Sequence, residues 1–135
     1  MTLSTSSTLA ALSTAAVLAA STLALGGTAA ASDDDRGVER TGSCSGSARW
    51  ELKAHEDDGG IEVEGEVDSD RTGEAWSWRL VQNGVRVDRG TATTAGRSGS
   101  FDVERRVADR AGTDSFTFRA KNKTTGEVCK TTLAF

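Results

Sequence analysis

A two-layered, all-β fold held by one disulfide is what this sequence predicts, and three observations predict it. Apolar and polar residues alternate with a period of two through seven short runs after residue 47. Turn residues separate the runs at short intervals, and no window of helical period lies between them. Two cysteines, Cys44 and Cys129, stand near either end of the patterned region.

The segment ahead of that region has a different chemistry. Residues 1–31 carry no charged side chain, whereas all 16 basic and 20 acidic residues follow them. Leu9 to Leu25 is an Ala/Leu/Val stretch diluted by Ser and Thr, and Ala29-Ala30-Ala31 supplies the small residues of a cleavage site. Residues 1–31 therefore read as a secretory signal peptide, with an n-region lacking Lys or Arg that points to a start codon further upstream. Its many hydroxyl residues and the absence of a basic stop-transfer cluster argue against a stable membrane span after processing. Residues 32–46 are polar and glycine-rich and read as a flexible leader. Residues 47–135 then form one β-sandwich domain, and the expected location is extracellular. In a secreted chain an even cysteine count reads as a Cys44–Cys129 disulfide. Thr41-Gly42-Ser43 lacks the aliphatic residue of a lipobox, and a single histidine cannot complete a zinc site.

The elements follow from parity. The first run sets Ala48, Trp50, Leu52 and Ala54 on one face and Arg49, Glu51, Lys53 and His55 on the other. After "EDDGG", the second turns Ile61, Val63 and Val67 inward and Glu62, Glu64 and Glu66 outward. The third has Trp76, Trp78 and Leu80 inward, with Arg79 outward. Asn83-Gly84 suits a two-residue type I′ hairpin into the fourth run. Its register then opposes Leu80 to Val87, Val81 to Arg86 and Arg79 to Asp88, and places Arg89 over Trp78. The fifth run carries Phe101, Val103 and Val107, with Arg105 on their face implying a bulge or a strand end. The sixth turns Phe116, Phe118 and Ala120 inward, and the seventh Cys129, Leu133 and Phe135. The tight hairpin groups the runs into sheets 1-2-5 and 4-3-6-7. That is a seven-stranded immunoglobulin-like sandwich of the fibronectin-III-like variant.

"TGSC" (41–44), "GTDSFTF" (112–118) and "TGEVC" (125–129) resemble uncharacterised small secreted proteins of actinobacteria. The resemblance spans the whole mature domain and brings no assigned activity or catalytic residues with it. A Trp on the third strand is also similar to immunoglobulin domains. Their disulfide joins the second and sixth strands, however, and their tyrosine corner has no counterpart in a chain without tyrosine.

Chemical candidates are few. Asp68-Ser69-Asp70-Arg71-Thr72-Gly73-Glu74 has the acidic alternation of a calcium loop, but Arg79 falls where the bidentate glutamate belongs, so it reads as a turn. Pooling of Asp57 and Asp58 with Asp109 or Asp114 is the calcium alternative that the topology permits. His55, the only histidine, lies on an exposed face and leaves no triad or copper chemistry. Glu62, Glu64 and Glu66 repeat about 7 Å apart along one strand, but a flat solvated face does not raise the pKa of a general acid. The three tryptophans share aliphatic parity and read as core, not as a sugar platform. Asn122-Lys123-Thr124 is a chance sequon. No catalytic residue, metal or cofactor is expected, and the chain reads as non-enzymatic.

Charge is the most informative functional feature. Residues 32–75 hold 14 acidic and 5 basic side chains, and residues 76–135 hold 6 and 11. Folding places Glu51, Glu62, Glu64, Glu66, Asp102 and Glu104 outward on the 1-2-5 sheet. It places Arg79, Arg86, Arg119, Lys121 and Lys130 outward on the other. The expected function is a secreted binding or structural module whose basic sheet docks an anionic envelope polymer, lipid surface or secreted protein. The alternative is a protease inhibitor presenting Arg97 in "TAGRSGS" (94–100). Nucleic acid is disfavoured by export and by the net charge of −4.

Overall fold

The computed structural model describes residues 37–135. The signal peptide read over 1–31 and the start of the leader lie outside the described residues. Eight strands follow one another: β1 (Gly37–Ser43), β2 (Arg49–Asp57), β3 (Gly60–Asp68), β4 (Ala75–Gln82), β5 (Val85–Thr93), β6 (Ser100–Ala108), β7 (Ser115–Asn122) and β8 (Val128–Ala134). They form two antiparallel four-stranded sheets, ordered β1-β2-β3-β6 and β5-β4-β7-β8.

The seven expected strands are β2 to β8, grouped as the sequence pattern groups them. The eighth is a correction to the leader. Residues 37–43 are not a flexible segment but an edge strand, in register with β2 from Gly37↔His55 to Ser43↔Arg49. Its pattern is faint because Val38, Arg40 and Gly42 share its inward side, so the strand contributes backbone pairing more than apolar burial.

Alternation sends Leu52, Ile61, Val63, Val67, Trp76, Trp78, Leu80, Phe101, Phe116, Phe118 and Leu133 into one core between the sheets. Burying each such side chain contributes about 1.5–3 kcal/mol. Gly65 breaks the inward row of β3 for a steric reason, since a Cβ there would lie 2.7 Å from the Phe118 ring. Trp50 departs from the expectation for the three indoles. It is only half-buried, packed against the core from the β1 edge, with Nε1 donating to the Ser43 carbonyl at 3.1 Å.

The hairpin at Asn83-Gly84 forms with both turn residues at positive φ (50° and 81°), as a type I′ turn requires. Its register holds for Val81↔Arg86 and then shifts, because a bulge lies between Leu80 and Val81. Leu80 therefore opposes Asp88, Arg79 opposes Arg89, and Trp78 opposes Gly90, in place of the expected Leu80–Val87, Arg79–Asp88 and Trp78–Arg89 pairs. Val87 is the extra residue. By reversing the facing of everything beyond it, the bulge turns Asp88 inward and Arg89 outward. Gly90 suits its new place, where a Cβ would press within 3.0 Å of the Trp78 indole.

The inward Asp88 accounts for Arg105. No bulge interrupts β6, whose pairing with β3 runs unbroken from Gly60↔Ala108 to Asp68↔Ser100. Arg105 points inward and crosses between the sheets: its Nε donates to Asp88 Oδ2 at 2.8 Å, and its guanidinium carbon lies 5.2 Å from the Trp78 ring centroid. Arg105, not Arg89, covers that indole. The hydrogen bond from Arg105, with a second from the Arg89 amide, holds the Asp88 carboxyl below its ordinary range. Both partners are about 40% exposed, so the ion pair itself is worth little after solvent screening. Arg105→Ala is expected to lower stability by about 1–1.5 kcal/mol in urea unfolding, mostly through the lost cover on Trp78. Arg105→Met should restore more than half of that. A methionine variant as unstable as the alanine one would assign the effect to charge instead.

The two open edges of the sandwich thus close differently. At one, Arg105 and Asp88 join β6 to β5. At the other, the Cys44–Cys129 disulfide joins the residue after β1 to β8, and Ser45 bonds Val128 through both its amide (2.8 Å) and its hydroxyl (2.8 Å).

Candidate functional site

The outer face of β5-β4-β7-β8 gathers every residue expected to form the basic surface: Arg79, Arg86, Arg119, Lys121 and Lys130. These four strands contain one carboxylate, Asp88, and the β5 bulge has turned it away. Among the described residues no carboxylate lies within ion-pair distance of those five cations or of Arg89. Arg89 is the member that parity alone misses. The regular hairpin register sends it inward, and only the extra residue Val87 brings it out.

The cations are ordered as well as numerous. Arg89 opposes Arg79, Arg79 opposes Arg119, and Arg119 opposes Lys130. One row therefore crosses all four strands in register, each step about 4.8 Å. Arg86 lies one row to one side, beside Val81, Thr117 and Thr132, and Lys121 one row to the other, beside Ser77, Thr91 and Val128. The flanking positions are mostly hydroxyl-bearing, and Thr117 and Thr132 hydrogen-bond to each other at 2.9 Å. Like charges directly opposed across strands destabilise a sheet. This row persists against that preference.

The opposite sheet is acid-rich but mixed. Glu51, Glu66 and Asp102 lie in one register row across β2, β3 and β6. Burial, together with the neighbouring charges of Glu51, Glu64 and Asp68, pushes the Glu66 carboxyl above its ordinary range. Lys53 relieves part of this tension, since its hydrogen bond to Glu51 holds its own ammonium charge more firmly. In the next row Lys53 is flanked by Glu39 and Glu64, and His55 Nε2 sits 3.3 Å from Glu62 on the same solvated face. Acidic residues predominate on this face, but cations are interleaved among them.

The remaining candidates resolve into structural roles. The Asp68–Glu74 loop is a turn: Asp68 Oδ1 accepts from the Asp70 amide at 3.0 Å, and buried Ser69 bonds the carbonyls of Arg71 and Gly99. Asp57 and Asp58 do not pool with Asp109 or Asp114. Arg106 takes their carbonyls at 2.9 Å each and places its Nε 3.4 Å from the Asp57 carboxylate. Among the described residues no three acidic, His or Cys side chains gather in a metal-holding group. Asn122 is buried, its side-chain oxygen accepting from the Thr124 and Thr125 amides, so the sequon serves a turn. Arg97 is exposed at the tip of a short closed turn, where Ala95 and Ser100 exchange backbone hydrogen bonds at 2.9 and 3.1 Å.

Comparison of the chain with protein-family models, curated proteins and solved structures gives no match.

Proposed function

We propose that the chain is a secreted, non-enzymatic binding module that docks an anionic partner on its basic sheet. One observation carries the reading: a complete four-stranded face whose strands present six cations and no carboxylate, on a protein of net charge −4. A face that served only solubility would interleave both signs, as the opposite sheet does. The disulfide supports an oxidising location. The grouping β2-β3-β6 against β5-β4-β7-β8 supports a fibronectin-III-like architecture with β1 added at one edge.

The test is retention of the oxidised domain on an immobilised sulfated polysaccharide at low and high salt. Wild type is expected to bind at low ionic strength and elute as salt screens the contacts. Reversal of Arg79, Arg119 and Lys121 to Glu is expected to cost at least about 100-fold in affinity, since each cation near an anionic surface contributes about 1 kcal/mol. Retention indifferent to salt and to the triple reversal would remove the proposal.

A further inference from the structure

We infer that the anionic partner is a linear polyanion lying across the strands, along the row Arg89, Arg79, Arg119 and Lys130. This rests on the docking function proposed above and specifies its ligand. The class is an extended polymer bearing one acidic group about every 5 Å, to match the inter-strand step.

A lipid surface responds to the density of charge on a face and gains nothing from alignment. A flexible or extended chain does gain, because each group bound holds the next at high effective concentration over the next cation. Four of the six cations stand in one line about 14 Å long at three inter-strand steps, although directly opposed like charges cost the sheet stability. The rows on either side bring Ser77, Thr91, Thr117 and Thr132, hydroxyls suited to polymer hydroxyls or acid oxygens. No large exposed apolar side chain lies on the face to anchor it in a bilayer; Val85, the one such residue described, stands at the hairpin tip. A second copy of the chain fits poorly. Its carboxylate row Glu51–Glu66–Asp102 is bordered by Arg49 and Lys53, so stacking would press cations against cations.

The experiment measures binding of the oxidised domain to oligogalacturonates of two to eight rings, which carry one carboxylate per ring. Anionic phosphatidylglycerol vesicles form the comparison arm, and light scattering follows self-association. Affinity is expected to climb by about tenfold or more between the dimer and the tetramer and then level off as the four-membered row is filled. Salt should weaken the hexamer by about fiftyfold between 50 and 200 mM if four contacts release counterions as on a single-stranded polymer. Two double reversals of equal charge then separate line from density. Arg79→Glu with Arg119→Glu, which break the row itself, should cost about 100-fold or more, and Arg86→Glu with Lys121→Glu, one row to either side, at least about tenfold less than that. Thermal melts confirm that both variants are folded. Equal losses in the two variants, no dependence on length, preference for vesicles, or salt-reversible stacking of the protein on itself would each overturn the row while leaving docking intact. Failure to bind either oligomers or vesicles at low salt would remove both readings.

Discussion

Replacing Cys44 and Cys129 with alanine lowers the stability of the domain by about 4–5 kcal/mol and its melting temperature by at least ~16 °C, on the chain-entropy model. The bridge spans 85 residues of sequence, nearly the whole described domain, so its loss frees a large denatured ensemble. The position adds to the effect. Cys129 is wholly buried in β8, and Cys44 follows β1 in the opposite sheet, so the bridge links the two sheets directly, with the Ser45–Val128 bonds immediately beyond it. Without the bridge, those bonds and the Glu127 carboxylate on the Ala48 amide (2.8 Å) must hold that edge alone. Melting with and without reductant, followed by circular dichroism, measures the change. A loss below about 1 kcal/mol would show that the packed core fixes the edge unaided.

Asp114→Ala is the second large effect, expected at about 2–4 kcal/mol, because removing a buried acceptor leaves the buried Gln82 donor and two part-buried donors unpaired together. Asp114 is fully buried immediately before β7 and ties three segments to one another. Its Oδ1 accepts from Gln82 Nε2 at 2.9 Å and Asn83 Nδ2 at 2.6 Å, and its Oδ2 from the Arg110 amide at 3.0 Å. Its backbone exchanges hydrogen bonds of 2.9 Å with Phe135. Burial pushes the carboxyl pKa up, but donation from the Arg110 amide and from Gln82 and Asn83 outweighs it and leaves the group below its ordinary range. A folded-state value below the unfolded one means that the stabilisation is complete above the ordinary carboxylate pKa and disappears as pH falls through the lowered value. The stability gap between wild type and Asp114→Asn should therefore be constant near neutrality and narrow below about pH 4. Urea unfolding across that range measures it. A gap that did not change with pH would mean that the charge on Asp114 contributes nothing.

Most of the fold was legible because burial enforces parity. Leu52, Ile61, Trp76, Phe116 and Leu133 each lie on the side their alternation predicts. The pairing of the two sheets followed from the Asn83-Gly84 turn, which makes β4 and β5 neighbours. What escaped were features that no periodicity encodes. β1 is held by main-chain pairing and buries little, so it looks like leader. The bulge inserts Val87 without a compositional trace, since Val, Asp and Arg alternate plausibly in either register. One mark was present: Arg105 sat on the apolar side of β6 and needed an acid opposite. Alternation implies a bulge or a strand end at that point of β6, whereas the irregularity lies in β5, the strand that supplies the acid. The docking face was legible as a set of cations, but its alignment was not, because Arg89 joins the row only after the shift.

That extra residue has a further consequence for a protein with exposed sheet margins. Among the described residues the outer edge of β5 has no paired neighbour in its own sheet, which makes it a template for an incoming strand. At Val87 the spacing of its free amides and carbonyls is broken, so a foreign chain cannot zip along it without losing step. The same displacement that draws Asp88 beneath Arg105 thus also protects the molecule from fibrillar growth at the margin nearest its charged face.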